Sequence, residues 1–315
     1  MKRTLLIVLL FAVVVPLHAQ TPVRTIAVTI DDLPYVTNSD EIDYLTGARV
    51  ATAKILNTLK KHKAPAVGFV NERMLGEAKV ERDARIALLR DWVKYGMVLG
   101  NHTYSHPDLN LLTVEQFQEE ITKGEVVSRQ LMKSRRPYQL YFRHPFTHTG
   151  DTREKKEAIE RFLAERGYKI TPHTIENSDW MFDRPYVRAL QKGDKELAQR
   201  LRETYLEFTI GAAAFAEKVS PQIFGREIPQ ILLIHSNDIT ADSLDEILRR
   251  LAARGYRFVT LDKVMSDPAY ETKDTFVTKH GPTWFVRWAQ SKGLNVSFRD
   301  DADPPKWVMD LSRQP

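Results

Sequence analysis

Four short apolar runs in this chain stop abruptly at ionisable side chains, and that arrangement limits the possible folds more than any other feature. Ile26-Ala-Val-Thr-Ile30 runs into Asp31-Asp32, Met97-Val-Leu-Gly100 into Asn101-His102, Leu140-Tyr-Phe142 into Arg143-His144, and Ile231-Leu-Leu-Ile234 into His235. If these runs are parallel strands closed into a barrel, their C-terminal ends share one face. The polar residues then converge on one pocket although they lie far apart in the chain.

The remaining pattern supports that reading. Strands are expected at Thr25–Ile30, Ala66–Val70, Met97–Gly100, Leu140–Arg143, Tyr168–Thr171, Ile231–His235 and Arg257–Leu261. Helical patterns fill the gaps at Ala48–His62, Glu81–Lys94, Thr113–Met132, Arg153–Glu165 and Ser243–Arg254, and Thr113 with Gln116 forms a capping-box signature. Alternation of this kind predicts an α/β fold around a parallel sheet, closed or nearly closed into a barrel. Pro185 to Lys218 is helical and longer than one crossover needs, so a helical insertion is expected at about residues 185–218. After Leu261 the chain becomes irregular and aromatic, with Tyr270, Phe276, Trp284, Phe285, Trp288 and Trp307. So many aromatic rings are expected to pack over the barrel rather than face water.

The first twenty residues have the form of an export signal: Lys2 and Arg3, an apolar run from Leu5 to Val15, and a polar stretch ending at Ala19. The run is shorter than the ~20 residues of a typical membrane span, so removal after Ala19 or Gln20 is expected, with no stable membrane insertion of the mature chain. The division is then a signal peptide over residues 1–20, a barrel over 21–264 and a C-terminal extension over 265–315 packed on it. With 315 residues and 43% hydrophobic content the chain can bury a full core, and with no cysteine it must rely on that core rather than on disulfides. Its formal charge is +5, of which Lys2 and Arg3 supply two, and the basic residues are scattered. Nothing there resembles a nucleic-acid-binding stripe.

The strongest chemical signal is His102-Thr-Tyr-Ser-His106. Histidines four apart can reach one metal, each as a neutral imidazole. Gly100 before them and Pro107 after them place the pair on a strand-to-loop turn. With one carboxylate they make a three-ligand set that leaves a position open for water, as catalytic metal sites do. His235, ending its own apolar run, is the natural proton donor beside such a site.

Thr29-Ile-Asp-Asp32, His102-Thr-Tyr-Ser-His106, Arg143-His-Pro-Phe146, Glu176-Asn-Ser-Asp-Trp180 and Leu233-Ile-His235 together resemble the five ordered motifs of the polysaccharide deacetylase (NodB homology) family, carbohydrate esterase family 4. The resemblance spans roughly Thr25 to Leu261. It implies a deformed (β/α) barrel and metal-dependent hydrolysis of N- or O-acetyl groups on a polysaccharide. By position, Asp32, His102 and His106 would bind a divalent metal, usually zinc in this family, with Co2+, Ni2+ or Mn2+ as alternatives. Asp31 would be the general base on the attacking water and His235 the general acid for the leaving group. Arg143 would orient Asp31, Asp179 would tune His235, and the backbone N–H of Phe146 would be an oxyanion donor.

Three positions depart from the family pattern. Leu33-Pro34 stands where glycine is common, Phe146 where tyrosine is usual, and Glu176 where aspartate is usual. The first change is expected to narrow the approach beside Asp31; the second is tolerable because the expected contact is from the backbone. Trp180 is read either as a wall against the acetyl methyl or a sugar face, or as a core tryptophan. His144 and His148 are read as supporting residues. Two other functions fit the same residues: an amidohydrolase for a smaller amide, and a catalytically silent carbohydrate-binding protein.

Overall fold

The computed structural model describes residues 24–38, 43–135 and 138–314, so the expected export signal lies outside the described residues. Among the described residues eight strands form one parallel sheet: β1 (Arg24–Leu33), β2 (Ala66–Val70), β3 (Val98–Asn101), β4 (Leu140–Phe142), β5 (Tyr168–Ile170), β6 (Ile175–Glu176), β7 (Gln230–His235) and β8 (Tyr256–Phe258). Their order is β5-β4-β3-β2-β1-β7-β6, with β8 paired to the first residues of β1. Strands β5 and β6 end this order without pairing to each other, so the sheet curls into a barrel open on one side. This is the deformed (β/α) barrel expected from the sequence. The two-residue β6 was not anticipated, because so short a strand carries no periodicity.

The helices are α1 (Tyr44–Lys61), α2 (Lys79–Lys94), α3 (Val114–Lys123), α4 (Val126–Met132), α5 (Arg153–Glu165), α6 (Asp179–Gln191), α7 (Lys195–Phe224), α8 (Asp238–Ala253), α9 (Leu261–Met265), α10 (Trp284–Ser291) and α11 (Lys306–Ser312). The capping box forms as expected: Thr113 accepts from the Gln116 backbone while the Gln116 side chain accepts from the Thr113 backbone. The single helix expected over Thr113–Met132 is instead two, broken at Gly124. A Cβ on Gly124 would lie 2.3 Å from the carbonyl carbon of Thr103. The helix therefore stops where its backbone presses against the histidine loop. The helical stretch expected from Pro185 to Lys218 begins earlier and ends later, as α6 and α7.

Parallel strands covered on both faces read as continuous apolar runs, and the two faces of this sheet build two different cores. Ile26, Val28 and Ile30 pack outward with Leu232, Ile234 and the surrounding helices. Ala27 and Ile231 point inward and pack with Val67, Phe69, Tyr141, Leu261 and Val264. With a side-chain period of two, Thr29 and Asp31 follow Ala27 onto the inner face, and Leu233 and His235 follow Ile231. The register thus aims both polar strand ends into the barrel.

In the C-terminal segment Trp284, Phe285 and Trp288 are buried. Trp288 meets Phe224 of α7 at 5.3 Å between ring centroids, and Trp307 lies under the guanidinium of Arg200 at 4.3 Å. No helix among the described residues is long and apolar enough to cross a membrane.

Candidate metal and catalytic site

Two successive residues of a regular strand point to opposite faces, so Asp31 and Asp32 could not both enter the barrel without a local change. The change is a bulge. Ile30 pairs with Gly68 but Leu33 with Val70, so three steps on β1 match two on β2, and Asp32 takes a φ of 62°. Both carboxylates consequently line one cavity of about 580 Å³. The bulge also turns Leu33 away from it. Leu33 is fully buried, with Cδ2 directly over Gly68. The expected narrowing beside Asp31 is thus not produced by Leu33.

The histidine loop leaves β3 and is held by α3. The carbonyl of Glu120 accepts the Tyr104 N–H at 3.0 Å, and its carboxylate accepts the Ser105 N–H at 2.7 Å. Thr103 and His106 both have left-handed φ values, 69° and 59°, and the His106 N–H donates to Thr103 Oγ1 at 3.1 Å. Such conformations are costly for non-glycine residues and persist where neighbours enforce them, often at functional sites.

The result is a three-residue cluster. Nε2 of His102 and Nε2 of His106 each lie 3.6 Å from Asp32 Oδ1, and one ligand atom from each residue lies within 4.8 Å of the others. The Nδ1 of His102 lies 2.7 Å from the carbonyl oxygen of Arg143. A carbonyl only accepts, so Nδ1 carries the hydrogen and Nε2 is the ring nitrogen turned toward the cluster. Burial, joined by His102 and His235, pushes His106 down to about 4 against the opposing pull of Asp32. His106 is therefore a neutral donor at neutral pH. Burial works against the Asp32 carboxylate, but His106, His102, His235 and a 2.6 Å hydrogen bond from Asn71 together hold it below its ordinary value. Two imidazoles and one carboxylate match the donor set of a divalent cation such as zinc.

Around this cluster the other expected residues assemble. Arg143 is fully buried, with Nη1 3.7 Å from Asp31 Oδ2 and Nη2 donating to Thr29 Oγ1 at 2.8 Å. At 3.7 Å the Asp31 contact is an ion pair rather than a hydrogen bond. Burial pulls the guanidinium pKa down, and Asp31 opposes that pull. On the far wall, Asp179 holds His235 by two bonds, Nδ1 to Oδ1 and the backbone N–H to Oδ2, both 2.6 Å. Burial lowers the imidazole pKa, but the Asp179 charge and hydrogen bond outweigh it and, with Asp32 and Asp31, push His235 up to about 10.

Phe146 and Trp180 both line the cavity and are each 54% exposed. The core alternative for Trp180 therefore does not hold. Phe146 packs edge-on against His106, with centroids 4.6 Å apart. His144 is buried at the cavity wall between Phe117 and Phe142, while His148 bonds Asp108 at 2.9 Å, outside the cavity lining. Glu176 lines the cavity and accepts the Ser178 N–H at 3.0 Å; burial and then Asp179 raise its pKa.

Sequence reasoning missed Asn71, His173, Gly281 and Asp303, all of which touch the cluster or line the cavity. Asn71 had a signal, since it ends the apolar run Ala66–Val70 as the other site residues end theirs. Gly281 and Asp303 had none, because they arrive from the irregular C-terminal segment.

A sequence profile described as polysaccharide deacetylase matches residues 18–157, which include both aspartates, both histidines, Arg143 and Phe146. The chain is 26% identical over 216 residues to a peptidoglycan-N-acetylglucosamine deacetylase of Bacillus cereus, covering 67% of this chain and 62% of that protein. It is 29% identical over 156 residues to a chitin deacetylase of Arthroderma benhamiae, covering 50% of this chain and 35% of that protein. It therefore spans less than two thirds of the length of both relatives. Among solved structures, a peptidoglycan N-acetylglucosamine deacetylase superimposes with a TM-score of 0.52 at 21% identity, covering 76% of this chain and 87% of that one.

Proposed function

The chain belongs to the polysaccharide deacetylase family, and on that premise we propose that it is an exported hydrolase removing N- or O-acetyl groups from a carbohydrate with the help of a divalent cation. The observation that carries this reading is one cavity shared by the Asp32, His102 and His106 cluster, the Asp31 carboxylate beside Arg143, and His235 locked to Asp179. We assign residues 1–20 to the export signal, 21–264 to the catalytic barrel with its helical insertion at about 185–218, and 265–315 to a C-terminal extension.

Asp32, His102 and His106 would hold the cation. Once there it supplies Lewis acidity toward the acetyl carbonyl and makes the attacking water more acidic. Asp31 takes the proton from that water, and Arg143 keeps the Asp31 carboxylate aimed inward. The Phe146 backbone N–H donates to the developing oxyanion. His235 gives its proton to the departing amine or alcohol, with Asp179 holding the ring in the donating orientation. Trp180 offers an apolar wall to the acetyl methyl or a sugar face.

The test is acetate release from acetylated chitooligosaccharides, peptidoglycan fragments and acetylated xylan, with and without added zinc and after chelation. Zinc-dependent release from at least one class is expected. Binding of these sugars with no release would favour the silent carbohydrate-binding alternative, and turnover of small amides alone would favour the amidohydrolase.

A further inference from the structure

We propose that the C-terminal extension is a working part of the active site, in which Arg287 and Gly281 fix the turn carrying Phe146. This rests on the deacetylase reading for its catalytic consequence but not for its structural content. Phe146 and Thr147 both have a φ of 53°, two successive left-handed residues without a glycine. The turn's own bonds, Thr147 N–H to His144 and His148 N–H to Pro145, close it locally. Its orientation is set from outside.

Arg287 supplies most of that hold. It is fully buried, with Nη2 donating to the Thr147 carbonyl at 2.9 Å and Nη1 to Thr149 Oγ1 at 2.9 Å. Asp274, also from the extension, balances its charge at 3.2 Å and binds Lys156 of α5 at 2.7 Å. A planar guanidinium that bonds a carbonyl, a hydroxyl and a carboxylate together leaves the turn little freedom. Gly281 closes the other side. Its carbonyl accepts from Thr147 Oγ1 at 2.8 Å, and a Cβ there would stand 2.0 Å from the Phe146 carbonyl oxygen. No side chain fits between the strap and the peptide that follows Phe146. The same segment reaches the neighbouring loop, where the Trp284 N–H donates to the His173 carbonyl at 3.0 Å. Arg287 is thus a positioning residue acting through the Phe146 turn on the donor N–H and on the ring against His106.

The experiment compares Arg287→Lys and Gly281→Ala with Trp307→Ala, which disturbs the extension at its contact with Arg200 of α7. Four quantities are read: zinc content, kcat and KM for acetate release, and amide hydrogen exchange of residues 144–150. Arg287→Lys and Gly281→Ala should each speed exchange in that segment and lower kcat roughly 10- to 100-fold. KM and zinc content should change little, and Trp307→Ala should match wild type in kcat and in exchange of that segment. Unchanged exchange in both variants overturns the strap. Faster exchange with full kcat overturns its catalytic role. If the wild type releases no acetate from any substrate while exchange responds as expected, the strap stands and the deacetylase reading falls.

Discussion

Asp31 and Asp32 are adjacent in the chain, yet Asp31 Oδ2 lies 3.7 Å from the Arg143 guanidinium while Asp32 Oδ1 lies 3.6 Å from Nε2 of both His102 and His106. The bulge between Ile30 and Leu33 brings both carboxylates into one cavity, where they share His102, whose Nε2 lies 3.8 Å from Asp31 Oδ2, and differ in their other partner, Arg143 for Asp31 and His106 for Asp32.

That separation predicts opposite outcomes for two conservative substitutions. Asp32→Asn should lose metal and activity together, because a neutral amide is a poor partner for a divalent cation. Asp31→Asn should keep the metal and lose roughly 10²- to 10⁴-fold in kcat, the range of general base catalysis. Zinc analysis beside steady-state kinetics reads both. An Asp31→Asn protein that is metal-free, or one that turns over at the wild-type rate, rules the assignment out.

Asn71 donates to the same Asp32 oxygen that faces both histidines, at 2.6 Å, and Asn71 itself is buried. Supporting bonds of this kind orient ligands and typically contribute about 10- to 100-fold in affinity. Asn71→Ala is expected to weaken zinc binding by that order while leaving far-ultraviolet circular dichroism unchanged. Competition titration against a chelator of known affinity measures it, and wild-type affinity would show that the hydrogen bond does not orient Asp32.

Gly124 tests how tightly the fold supports the histidine loop. A methyl at this position would meet backbone atoms, the Thr103 carbonyl carbon and oxygen and the Tyr104 nitrogen, at 2.3, 2.5 and 2.6 Å. Backbone cannot rotate aside as a side chain can. Gly124→Ala should therefore cost about 1–3 kcal/mol in urea unfolding and loosen metal binding as well. Loss of stability with wild-type zinc affinity would mean that the loop holds its shape without α3.

Much of this site was legible in the sequence because strands ending in charge are a pattern that survives without coordinates. Asp31, Asp32, His102, Arg143 and His235 each end or follow an apolar run, and the sheet brings those ends together. The bulge at Asp31–Asp32 was not legible, because a two-against-one register is a property of the neighbouring strand. Gly124 was invisible as a break for the same reason, since α3 and α4 read as one periodic helix until Thr103 is placed against them. The aromatic residues of the C-terminal segment signalled packing, but Arg287 reads as an ordinary surface charge until its contacts to Thr147 and Thr149 are seen.

His235 and Asp179 give a prediction in pH. Burial alone would lower the imidazole from its ordinary value of 6.5, yet the Asp179 charge and hydrogen bond carry it up to about 10, helped by Asp32 and Asp31. A cation held by Asp32 opposes the last two contributions, which leaves Asp179 as the partner that keeps the proton on the ring. The proton is present below the folded-state pKa and lost above it. A step that needs His235 as acid should therefore run at neutral pH and fail as pH rises through the folded value. The same contact stabilises the folded chain fully below 6.5 and less and less toward 10. Asp179→Asn removes the charge, leaving burial to dominate, so the basic limb of the kcat profile should move to lower pH and the loss at pH 8 should exceed that at pH 6. Zinc content should stay unchanged, because Asp179 is not a member of the metal cluster. Profiles of both proteins from pH 5 to 10 decide the matter, and superimposable basic limbs would remove His235 from the acid role.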